Sequence, residues 1–80
     1  MYQVKVLDNT SATWKAGHAC SYAQAIDHFD AIQRKARSGE RIQMDFVDVE
    51  IIAIKLVEVG DAPDYRERNV LKYTEIRRKK

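Results

Sequence analysis

Eighty residues, 45% of them hydrophobic and 32% charged, exclude a second core and a low-complexity chain, because this length lies near the lower limit for unaided folding. No apolar run approaches the roughly 20 residues of a membrane-spanning helix, and the opening MYQVKV lacks a signal-peptide pattern. The lone Cys20 cannot close an internal disulfide, so a cytoplasmic setting is expected, and a net charge of +2 does not by itself demand a nucleic-acid partner.

Tyr2, Val4 and Val6 alternate with Gln3 and Lys5, the period of a half-buried strand. Asp8-Asn9-Thr10-Ser11 has turn composition. A second strand follows over residues 12–19, with Trp14 and Ala16 on one side and Gly17 diluting the pattern. That hairpin would set Trp14 opposite the first strand.

Residues 22–37 form the helix. Ser21 is a good N-cap, and Gln24 three residues on completes a capping box. Tyr22, Ala25, Ile26, Phe29, Ile32 and Ala36 share one apolar face. Asp27 and Asp30 precede Arg34, Lys35 and Arg37, as the helix dipole favours, and Gly39 stops the helix after Ser38.

The densest apolar stretch is RIQMDFVDVEIIAIKLVEV, residues 41–59. Ile42, Met44 and Phe46 alternate with polar residues and predict a strand that lies on the helix. From Val49 onward both parities are apolar, so the second strand is central, bulged or covered on its far side. Asp48 to Glu50 would hold the connection. Ile51, Ala53, Val57 and Val59, joined by Leu7 and Val47, are expected on a sheet face that one helix leaves uncovered, and such a face suits a partner. Residues 60–64 read as a loop that YRERN continues. VLKYTEI, residues 70–76, predicts a last strand, although Val70, Tyr73 and Ile76 would also line a short helix. The final RRKK is expected to be a disordered basic tail.

The fold expected is α+β: a two-layer sandwich in which an antiparallel sheet of four to five strands carries one helix on one face, in the order β-β-α-β-β-β along the chain. Residues 1–76 make the single domain.

Candidate chemistry is sparse. His18, Cys20 and His28 are too few for a structural zinc site, although Cys20, just before the helix N-cap and near a His, could serve as a reactive cysteine. Asp45, Asp48 and Glu50 could gather around Mg²⁺, yet as strand and turn residues they need no metal. No Gly-rich phosphate loop, G-x-S-x-G, H-E-x-x-H or C-x-x-C is present. Neither an enzyme nor a cofactor is expected. Residues 61–80 carry seven bases against four acids. Tyr65, Arg66, Arg68, Lys72, Tyr73, Arg77, Arg78, Lys79 and Lys80 could therefore stack on bases and pair with phosphates. Trp14 belongs to the core or its edge, or anchors a protein partner from an exposed hairpin.

The leading expectation is a small non-enzymatic binding protein acting through protein contacts at Trp14, Ile51, Ala53, Val57 and Val59. In size and absence of catalytic chemistry it is similar to accessory and inhibitor proteins of phages and other mobile elements, including anti-CRISPR and anti-restriction proteins, a likeness that transfers no residues. The alternative is nucleic-acid binding through the basic C-terminal region. A homodimer is compatible with both, and no membrane partner is expected.

Overall fold

The structure, a computed structural model, describes residues 1–10, 13–39, 42–44 and 47–76, with the backbone alone over 42–44 and 47–49. It is a small α+β fold whose elements run β1 (Tyr2–Asp8), β2 (Lys15–Ala16), α1 (Tyr22–Arg37), β3 (Ile42–Met44), β4 (Val47–Val49), β5 (Ile51–Val59) and β6 (Glu67–Glu75). Four strands make an antiparallel sheet in the order β2-β1-β5-β6, and β3 pairs with β4 in a separate two-stranded ladder.

The helix forms as its sequence requires. The Ser21 hydroxyl accepts the Gln24 N–H while the Gln24 side chain accepts the Ser21 N–H, so two orphan donors of the first turn are satisfied reciprocally. Arg34, Lys35 and Arg37 occupy the last turn, where the dipole favours cations. Gly39 at φ 83° follows the Ser38 C-cap, a left-handed conformation that costs glycine little. Ala25, Phe29 and Ala36 are buried along the apolar face, together with Val4 and Val6 of β1 and Ile51, Ile54 and Leu56 of β5.

Several boundaries differ from expectation. The strand predicted over 12–19 shrinks to Lys15–Ala16, since Gly17, exposed His18 and the small residues beside them offer little to pack. Asp48 sits within β4 opposite Gln43 rather than in a turn. Among the described residues there is therefore one more strand than in the expected order, and β3 pairs only with β4. Phe46 and Asp45 lie outside the described residues. The last strand is a strand, as VLKYTEI suggests, but it starts three residues early at Glu67.

The largest correction concerns β5. Leu7 pairs with Ala53 and Asp8 with Ile51, so Ile52 is an extra residue in a bulge. An extra residue resets strand parity: Ile51 joins Ile54 and Leu56 on the helix side, 3% exposed, while Ile52 is 39% exposed. Ala53, Val57 and Val59 are buried as well. Ile51, Ala53, Val57 and Val59, expected to stand open for a partner, are thus covered within the chain.

Candidate interaction surface

Side chains drawn from distant parts of the sequence cover the far side of the sheet. Lys5 of β1 pairs with Lys55 of β5, and Lys55 pairs with Tyr73 of β6. This row has the opposite parity to Val4, Leu56 and the helix-side core. Trp14, half-buried ahead of β2, meets the Tyr73 ring edge-on at a centroid distance of 6.2 Å, and the Lys55 ammonium lies 4.6 Å from the Trp14 ring. Glu67 accepts from Lys5 at 3.0 Å and lies 3.2 Å from Lys55. Hydrogen bonds from Lys5 and then Lys55 hold its carboxyl below the usual carboxylate range. The two lysines, side by side on neighbouring strands, would repel without that carboxylate between them.

A second polar cluster secures the end of β1. The Asp8 side chain is inaccessible, and its Oδ1 accepts from the Thr10 hydroxyl at 2.6 Å and the Thr10 N–H at 2.8 Å. Lys15 Nζ stands 3.1 Å from Oδ2. The Thr10 hydroxyl, the Thr10 N–H and Lys15 lower the Asp8 pKa to about 2 against the opposing effect of burial. This cluster ties β1 to β2.

Exposed apolar side chains remain on the outer strand of the sheet, β6. Among the described residues, β6 has a sheet partner on the β5 side only. Val70, Leu71 and Tyr73 are 51%, 44% and 55% exposed, although valine, leucine and tyrosine ordinarily gain most from burial. Two irregularities shape the strand. Lys72 pairs with Leu56 and Val70 with Val57, leaving Leu71 extra; Asn69 pairs with Glu58 and Glu67 with Val59, leaving Arg68 extra. Lys72 through Glu75 oppose four consecutive residues of β5 without a break. The bulge at Leu71 keeps Val70 on the same face as Tyr73, opposite Val57 and Lys55. Lys72 points to the helix side, its ammonium 5.5 Å from the Phe29 ring.

The other sequence candidates stay apart. Arg66 and Arg68 are exposed, as is Tyr65, which has φ 45° in the loop containing the cis Ala62–Pro63 bond. Arg77, Arg78, Lys79 and Lys80 lie outside the described residues. Lys72 and Tyr73 face opposite sides of the sheet. His18 and His28 are exposed, and Cys20 is half-buried with its backbone bonded to Tyr2 in both directions. Among the described residues no three His, Cys, Asp or Glu side chains are placed to hold a metal, and no helix is long and apolar enough to cross a membrane. The hollows beside α1, lined by residues such as Asp30, Gln33, Arg34 and Arg37, are open grooves on its polar side.

Sequence reasoning missed the exposure of Val70 and Leu71 on an outer strand. Their adjacency within a charged stretch carried a signal, because neighbouring apolar residues in a strand face opposite ways and one helix cannot cover both. No family model matches this chain, and no curated protein or solved structure matches it.

Proposed function

We propose that this chain is a small non-enzymatic binding module that engages another protein through the outer edge of β6. The observation that carries the reading is the exposure of Val70, Leu71 and Tyr73 on a nine-residue strand that, among the described residues, is paired on one side only. An edge strand presents backbone N–H and C=O groups to any extended segment that aligns with it, and its side chains then select the segment. The bulges at Arg68 and Leu71 disfavour pairing along the whole edge, which points to Lys72–Glu75 as the docking stretch.

Nucleic-acid binding has less support. Val70 and Leu71 have no ring to stack on a base, and Lys72 is on the opposite face from Tyr73.

A photo-reactive phenylalanine analogue at position 71 or 73 tests the proposal in cells, with the same group at Gln33 on α1 as control. Protein adducts from β6 and none from α1 are expected. Equal adducts from both elements, or none from β6, overturn it.

A further inference from the structure

We infer that the strand accepted by the β6 edge is β6 of a second copy of this chain, paired antiparallel about a two-fold axis at Tyr73. The inference rests on the reading of β6 as a docking edge and names its occupant. Hydrogen-bond alternation fixes which groups the edge presents. The Val59 N–H donates to the Met1 carbonyl at 2.9 Å, so Val59, Val57 and Lys55 turn their backbone groups toward β1. Tyr73 stands opposite Lys55 and is therefore not bonded to β5. From the other end, the Ile76 N–H donates to Ile52, which by the same alternation turns Thr74 inward and Tyr73 outward. The Tyr73 N–H and C=O thus face the outer edge, and among the described residues no other bond engages them.

Symmetry limits the registers. Residues directly opposite each other share a face, and a two-fold axis normal to the sheet preserves faces, so one residue must lie opposite itself. Counting past the bulged residues, a centre at Lys72 sets lysine against lysine and Glu67 against Glu75, and like charges directly opposite destabilise a ladder. A centre at Thr74 sets Tyr73 against Glu75 and leaves Val70 beyond the pairing. A centre at Tyr73 sets Tyr73 against Tyr73, Lys72 against Thr74 and Val70 against Glu75, with no like charges opposed. The two Tyr73 backbones then exchange reciprocal bonds at the axis.

The side chains favour the same centre. Trp14 meets Tyr73 from the β5 side, which leaves the ring's other side to a second tyrosine, and cross-strand aromatic pairs stabilise a sheet. Val70 and Tyr73, 51% and 55% exposed, are both covered. Lys72 does not guard the edge, because its ammonium is drawn over the Phe29 ring. The stretch Lys72–Glu75 carries one base and one acid and so is neutral toward itself. The opposite edge of the sheet, β2, is two residues long, too short to propagate pairing, and the assembly closes at two copies. A ladder this short is small beside the roughly 1,200–2,000 Å² of a lasting interface, so the dimer is weak, with a Kd on the order of 10–100 μM.

The test is sedimentation of the full chain over concentrations that span this Kd. The mass should rise from 9.3 kDa toward twice that value. Tyr73→Lys and Tyr73→Glu each place like charges at the axis and should each weaken association roughly tenfold. An equal mixture of the two should restore it, because lysine then faces glutamate. Position 73 is more than half exposed, so both variants should fold, as circular dichroism verifies. In the native chain, amide NMR shifts that grow with concentration should centre on residues 72–75, a readout that needs no variant. Association that neither variant weakens, a mixture that stays single, or shifts centred on another element overturns the inference. A mass fixed at 9.3 kDa while position 71 or 73 gives adducts with a different protein in cells overturns the second copy and retains the docking edge. With neither association nor adducts, both readings fall.

Discussion

The Lys55 ammonium lies 4.6 Å from the centre of the Trp14 ring, so a loop residue ahead of β2 is fastened to the middle of the sheet. A cation over an indole contributes roughly 0.5–1 kcal/mol at a partly exposed site. Trp14 is the sole tryptophan, which makes its fluorescence a direct probe. Lys55→Met, which keeps an apolar stem and removes the charge, should alter that emission and lower stability by about 1 kcal/mol. Trp14→Ala should cost roughly 2 kcal/mol, less than for a fully buried ring. A double-mutant cycle read by circular dichroism in urea should leave a coupling of about 0.5–1 kcal/mol; additive effects would mean that the contact contributes nothing.

Val57 tests whether the far face is closed. It has no accessible surface, so Val57→Ala should cost roughly 2 kcal/mol and Val57→Asp should prevent folding by burying an unpaired charge. A face left open to solvent would tolerate both. Thermal unfolding of the alanine variant and the solubility of the aspartate variant distinguish the outcomes.

Acid should weaken the fold through Asp8. Its pKa is lowered from 3.8 to about 2 in the folded chain, so the unfolded chain takes up a proton first as pH falls. The contribution is fully present above 3.8 and is lost on the way down to about 2. Glu67, also lowered, acts in the same direction. Urea midpoints measured down this range should fall for the native chain and fall less for Asp8→Asn, which should already be less stable at neutral pH. Parallel profiles would rule out Asp8 as a source of the acid sensitivity.

The legible parts of the sequence were those set by neighbours along the chain. Ser21 and Gln24 are three residues apart, and the helix starts where they place it. Val4 and Val6 alternate, and β1 buries them. What escaped depends on residues far apart: Glu67 meets a lysine 62 positions away, so YRERN looked like a charged loop although its glutamate begins a strand. The bulge at Ile52 escaped for another reason. Period-two reading assumes that every residue flips the face, and one unpaired residue moved Ile51 from the supposed partner surface into the helix-side core. The edge at Val70 and Leu71 became visible only once the strand order put β6 outermost.

The register joining Tyr2 to Glu58 has a consequence for the order of folding. In synthesis β1 must wait until α1, β3 and β4 have followed it before its long neighbour, β5, exists. Helix α1, closed by local contacts, has no such delay. Because joining the ends of so long a loop is slow compared with winding a helix, α1 should be present while β1 is still unpaired, exposing Val4 and Val6 to other chains for as long as synthesis of β5 takes.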